Sequence, residues 1–204
     1  MLSAGKLRGV RLPLLVFALS VAACAGQRVP AVVDAERART PRGQITVVEF
    51  IDFECPFCRA FNADFQPLLA ARAARVRVVR KQVPLARHHP HAMDAARASA
   101  CADDMGQGDA VADALFRAPP ETLTQDGVVE LAARVGHLDA AAVRACVTAP
   151  KTDERIRADI ESFFVGADGD GVPTVWIDDQ VFVGQKDVAT LQRALDLALE
   201  RAGD

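Results

Sequence analysis

From Ile45 to Ile51 the chain reads Ile-Thr-Val-Val-Glu-Phe-Ile, rich in β-branched residues and nearly continuous in apolarity. A strand buried on both faces has that pattern, and only Glu49 interrupts it. After Phe53-Glu54-Cys55-Pro56-Phe57-Cys58 the period changes: Phe61, Phe65, Leu68 and Leu69 fall at helical spacing. Pro56 suits the first turn of that helix, where a missing N–H costs nothing. Val76 to Val83 predicts a second strand, closed by Pro84. From Ala92 to about Ala149 the chain is Ala-rich with a helical period, broken at Gly106, Gly108, Pro119-Pro120 and Gly136-His137. That predicts several short helices, one of them starting at Thr124. A further helix covers Lys151 to Val165 and stops at Gly166. Val172–Asp178 and Val181–Val183 read as a hairpin turning at Asp179-Gln180. Asp187 then caps a last helix with Val188, Leu191, Leu195 and Leu199 on one face. Strands interleaved with helices in this order predict an α/β layer architecture with a mainly parallel centre and an antiparallel edge.

The first residues follow a different logic. Lys6, Arg8 and Arg11 precede a 12-residue apolar run from Leu12 to Ala23, right for a signal-peptide core and short for a membrane span. Val21-Ala22-Ala23-Cys24 resembles a bacterial lipobox, in which the Cys is lipidated and becomes the new N-terminus. The alternative is an ordinary secretory signal cleaved near Ala23–Gln27. Residues 1–23 are therefore read as a lipoprotein signal peptide and Cys24 as the lipidation site. Residues 24–44, with Pro30, Pro41, Gly43 and several charges, are read as a tether, and 45–204 as the folded domain.

Composition narrows the function. The 204 residues are 50% hydrophobic, with 24 Lys and Arg against 27 Asp and Glu, a formal charge of −3. The leader holds three of the bases and no acid, so the remainder is more acidic still. An acidic chain without a basic run is a poor nucleic-acid binder. Aromatic residues are 5% and Tyr is absent, which argues against stacking platforms.

The chemistry lies in Cys55-Pro56-Phe57-Cys58. Two Cys three apart at a helix start have the geometry for reversible disulfide exchange. The first is expected to be exposed at the positive end of the helix dipole, where a thiolate is stabilised, and the second to be shielded one turn in. A stabilised thiolate makes the disulfide the weaker form and the couple more oxidising. The pair could instead be half of a zinc site, with His88, His89 or His91 as further ligands, although no second CxxC exists.

Glu-Phe-Ile-Asp-Phe-Glu-Cys-Pro-Phe-Cys (49–58) together with Gly-Val-Pro-Thr (171–174) resembles the DsbA-like thiol–disulfide oxidoreductases of the thioredoxin superfamily. Val83-Pro-Leu-Ala-Arg-His-His-Pro-His-Ala92 resembles the start of that family's helical insertion. The resemblance implies a thioredoxin fold with an inserted α-helical domain at about residues 88–150. It implies that Cys55 attacks, that Cys58 resolves, and that Pro173 is cis, its loop lying against the dithiol. Val172, Pro56 and Phe57 would then meet the substrate. Glu49 matches a buried acid that assists proton transfer at the resolving Cys, with Arg80 or Lys81 as its partner; the bland alternative is an acid at a strand edge reaching solvent. Phe57 adds no charge or donor to the thiolate, whereas relatives with His there are strong oxidants. Val172 before Pro173 is closer to the oxidase branch than to the isomerase branch.

Cys101 and Cys146 remain, both on predicted helices of the insertion. As a disulfide they would close a loop of about 45 residues, contributing roughly 3–5 kcal/mol in the chain-entropy model; the alternative is two small buried thiols. His89 sits where the family often has His, Trp176 is expected in the core, and Asp103-Asp104 as solvated carboxylates. The combined expectation is an oxidoreductase exchanging disulfides with exported, Cys-containing proteins, facing the periplasm of a bacterial cell envelope and anchored there by lipid. It would act as an oxidase, need a membrane redox partner, and use no cofactor or metal beyond the Cys55–Cys58 disulfide. A reductase or isomerase on the same scaffold, and a lipid-anchored metal-binding or chaperone-like module, are the rivals.

Overall fold

The computed structural model describes residues 28–167 and 169–203. Cys24 and the signal segment lie outside the described residues. Four strands, β1 (Ile45–Ile51), β2 (Val76–Gln82), β3 (Thr174–Ile177) and β4 (Gln180–Val183), form one sheet in the order β2-β1-β3-β4. β1 pairs parallel with β2 and antiparallel with β3, and β3 pairs antiparallel with β4. The near-continuous apolarity of β1 has its cause here: it is a central strand, and all seven of its residues are buried.

Alternation along the strands sorts the core into two layers. Val47, Val175 and Ile177 pack with Phe61 and Phe65 of α2 (Pro56–Ala70) and with Leu191 and Leu195 of α8 (Val188–Gly203). Val48, Phe50 and Trp176 face the other way, against Val33 of α1 (Ala31–Arg37) and Phe163. Fully burying side chains of this size stabilises the fold by roughly 1.5–3 kcal/mol each.

Between β2 and β3 run α3 (Ala92–Asp104), α4 (Gly108–Arg117), α5 (Gln125–Gly136), α6 (Ala140–Val147) and α7 (Pro150–Glu161). Thr124 caps α5 by accepting from the N–H of Gly127, and Asp187 accepts from the N–H of Thr190 at the start of α8. Val111, Leu115, Leu123, Val128 and Val143 make a core of their own, and Ile51, Phe53, Cys55 and Cys58 join it. The dithiol thus sits on the seam between the sheet and the inserted helices. Cys101 of α3 and Cys146 of α6 are joined by a disulfide.

Four expectations need correction. Residues 30–44 are not a tether: Val33 is wholly buried, and the buried Glu36 is paired with Arg77 and Lys81 of β2. The many Arg and Pro residues hide a short apolar stripe, Val29, Val32 and Val33, that docks on the sheet. The hairpin turns at Asp178-Asp179, one residue early, because Asp178 takes a left-handed conformation at φ 54°. The helix from Lys151 does not run on to Val165 as α-helix; it widens into a π turn over Ser162–Gly166. Asp103 and Asp104 are not merely solvated, since both pair with Arg155 of α7 and so clamp α3 to it.

Candidate active site

β1 delivers Asp52, Phe53 and Glu54 to the end of the sheet, and α2 begins immediately afterwards, with Cys55 as its N-cap and Pro56 in its first turn. Cys55 is 4% exposed and Cys58 1%, so the first Cys is far less open than its position at a helix start suggested. Two elements cover it. Phe53 and Phe116 of α4 stack with ring centroids 4.6 Å apart on the insertion side. On the other side lies the loop before β3, where the Val172–Pro173 bond is cis and the Val172 carbonyl accepts from the Cys55 thiol at 4.0 Å. Val172 packs against both the insertion core and the Trp176 cluster. Phe57 is 65% exposed beside the sulfur.

The two thiols differ in acidity. Cys55 is lowered to about 6, first by a hydrogen bond from the Cys58 thiol and then by the backbone N–H groups of Cys58 and Phe57; burial and the Asp52 carboxylate oppose this. Cys58 is pushed far up, first by burial and then by serving as donor to Cys55; a backbone hydrogen bond at Asp52 opposes weakly. The helix N-terminus therefore holds one thiolate and one masked thiol, the pairing that disulfide exchange requires.

Glu49 lies on the same face of β1 as Ile51, which packs with Cys58. It is 4% exposed in a central strand, so the edge-acid alternative is excluded. Its register neighbour Arg80 approaches with Nε 3.2 Å from Oε2, but the N–H is not aligned for a hydrogen bond and the attraction is Coulombic. Burial raises the Glu49 carboxyl, with Arg80 opposing. Lys81, one residue on, points to the opposite face and pairs with Glu36 and Asp159.

The sequence reading missed Asp52. Its side chain is fully buried and takes four contacts: N–H groups of Glu54 at 2.8 Å and Cys55 at 3.3 Å on Oδ1, and the Leu85 N–H and His89 Nδ1, both at 2.8 Å, on Oδ2. Glu54, also buried, accepts from the N–H of His91 at 2.7 Å. Two acids flanking Phe53 thus bolt the dithiol loop to the loop after β2. Arg59 ties the same region to the insertion through the carbonyls of Phe53 and Ala118. An acid at the end of an apolar strand was the available signal. Two of its partners, Leu85 and His89, lie more than 30 residues away in the chain, and no local pattern names them. His89 is engaged with Asp52, and no group of three or more His, Cys, Asp or Glu placed to hold a metal occurs among the described residues.

The family model described as Thioredoxin matches residues 40–197. The chain belongs to the thioredoxin family. A thioredoxin-like oxidoreductase from Silicibacter pomeroyi DSS-3 is 30% identical, superposes with a TM-score of 0.64, and shares 78% of this chain and 89% of its own. DsbA from Xylella fastidiosa has the same fold at 23% identity and a TM-score of 0.59, over 78% of this chain and 86% of that one. Among curated relatives, the Na(+)/H(+) antiporter NhaA of Herminiimonas arsenicoxydans is 30% identical over 153 residues, 75% of this chain and 24% of the antiporter. The chain spans about a quarter of the length of the curated relatives it matches. Among the described residues no helix is long and apolar enough to cross a membrane. This member of the thioredoxin family carries its dithiol, Cys55 and Cys58, at the start of α2.

Proposed function

We propose that the protein oxidises Cys-containing proteins in the bacterial periplasm, anchored at Cys24 and recharged by a membrane redox partner. The observation that carries this reading is the split between the two thiols. With Cys55 lowered to about 6 and Cys58 held protonated, the reduced form is stabilised and the disulfide is the reactive one. A substrate thiolate attacks Cys55, the Cys55–Cys58 bond breaks, and Cys58 leaves and takes a proton from Glu49. A second substrate thiol then displaces Cys55, releasing an oxidised substrate and a reduced enzyme. Val172 and Pro173, beside the sulfur, offer a backbone edge on which an extended substrate can pair, with Phe57 as an apolar contact.

The test is a glutathione redox titration of the full-length chain followed by the fluorescence of Trp176, with Cys55→Ser as control. An equilibrium on the oxidising side of the glutathione couple is expected. A potential at or below that couple would move the assignment to a reductase. No transition dependent on Cys55, together with tight metal uptake by the reduced protein, would favour the binding module. In the same assay Cys58→Ser accumulates the mixed disulfide and Cys55→Ser forms none; equal trapping by both would overturn the roles given to the two sulfurs.

A further inference from the structure

His89 makes the last of the four contacts on Asp52, and the exchange chemistry leaves this side chain without a task. The turn from Leu85 to His89 is wrapped around the carboxylate. Its first residue donates the Leu85 N–H to Oδ2 at 2.8 Å, and its last places Nδ1 on the same oxygen at 2.8 Å. The N–H groups of His88 and His89 close the turn on the Leu85 carbonyl at 2.8 and 3.0 Å. The other oxygen, Oδ1, takes the N–H groups of Glu54 and Cys55 in the dithiol loop. One buried carboxylate thus has the dithiol loop on one side and an imidazole on the other. The Asp52 side chain is wholly buried, whereas that of His89 is 19% exposed.

We propose that His89 is a positioning residue for disulfide exchange: through Asp52 it sets the negative charge that faces the Cys55 sulfur. A carboxylate only accepts hydrogen bonds, so Nδ1 keeps its proton as donor and Nε2 is the ring atom left to take up a second. Neutral, the imidazole offers Asp52 the positive end of a dipole; protonated, it offers a full charge. Either way it offsets part of the Asp52 field, and in a buried site such a charge is felt more strongly than in water. The other charged or titratable groups nearby are spent or remote. Glu54 accepts from the His91 N–H, Arg59 is tied to the carbonyls of Phe53 and Ala118, and Arg87 and His88 are exposed.

The proposal rests on the exchange role given to Cys55 above. The disulfide carries no charge, so only the reduced form, with its thiolate, feels the repulsion from Asp52. By damping that repulsion His89 favours the reduced dithiol and leaves the disulfide more reactive. No proton or electron passes from His89 to the substrate. His89 lies just ahead of His91, the N-cap of α3, so the segment that leads into the insertion reaches back to the dithiol.

The experiment titrates the reduced full-length chain over roughly pH 4 to 9, read by the ultraviolet absorbance of the thiolate, with the curve of Cys55→Ser subtracted. Cys58 is pushed far up and stays silent in that window, so the difference reports Cys55, expected at about 6 in the wild type. His89→Leu moves the midpoint up by about threefold to tenfold in proton concentration, the size of one partly screened charge. The glutathione equilibrium near neutral pH moves toward the disulfide by roughly twofold to sixfold, the same shift carried through the thiolate fraction. His89→Asn, which puts a neutral N–H donor near the place of Nδ1, restores part of both. In an Asp52→Asn background, which lacks the carboxylate charge, His89→Leu has no further effect. A His89→Leu curve that superimposes on wild type would overturn the proposal and leave His89 a bolt for the loop, whatever the loss of stability. So would an equal shift in both backgrounds, because the route would not then pass through Asp52. Should Asp52→Asn not fold, equal shifts for His89→Leu and His89→Asn would overturn it, and a smaller one for His89→Asn would support it. A wild type without a Cys55-dependent glutathione transition would instead overturn the exchange role of Cys55 on which the proposal stands.

Discussion

Glu49 and Asp52 are three residues apart and both buried, on and just after the strand that leads into the dithiol, yet their surroundings are opposite. Asp52 has every oxygen engaged, by three backbone N–H groups and a histidine. Glu49 has one misaligned arginine and an oxygen without a hydrogen bond. A saturated carboxylate is fixed in place and organises backbone. An unsaturated one keeps its proton and stays available for chemistry. Burial alone does not tell a structural acid from a working one; the count of aligned donors does.

The sharpest way to break the contrast is Asp52→Ala. It strands the N–H groups of Glu54, Cys55 and Leu85 and should cost about 3–5 kcal/mol, within the range for leaving several buried donors unpaired. Urea denaturation of the oxidised form would show it. Since the Asp52 carboxylate opposes the Cys55 thiolate, whatever folded protein survives should titrate Cys55 below the wild-type value of about 6.

A smaller effect follows from Cys55 itself. Its folded pKa is depressed, so the thiolate's contribution is present above the unfolded thiol value and fades as pH falls through about 6. The reduced form should therefore gain up to about 3 kcal/mol relative to Cys55→Ser between roughly pH 6 and 8.5. At higher pH Cys58 works the other way, because its raised pKa withholds a proton that the unfolded chain would release. Parallel stability profiles for the reduced wild type and Cys55→Ser would contradict the split. The smallest effect belongs to Glu49→Gln, which exchanges a protonated carboxyl for a neutral amide of the same size while Arg80 keeps Asp109; its stability should stay within about 1 kcal/mol of wild type. A loss as large as that of Asp52→Ala would erase the distinction between the two acids.

Much of the site was legible because it is local. Cys55, Pro56 and Cys58 follow one another at a helix start, and Glu49 stands out in an apolar strand. Arg80 as the partner came from strand order, and register with alternation decided it against Lys81. The remainder depends on distant contacts. His89 and Leu85 reach Asp52 across 37 and 33 residues, and Asp109 meets Arg80 across 29. Nor did composition reveal α1, whose short apolar stripe is diluted by Arg and Pro; only the face of β1 it covers explains it.

The docking of α1 would set how far a lipid-anchored enzyme could range. With the domain starting at Ala31, a lipid on Cys24 would hold it on a leash of about six residues, at most about 20 Å when fully extended. A leash of the expected 21 residues would have reached roughly 70 Å. Were Cys24 lipidated as proposed, so short a lead would keep Cys55 in a thin layer above the bilayer, favouring chains met as they emerge there over those already adrift.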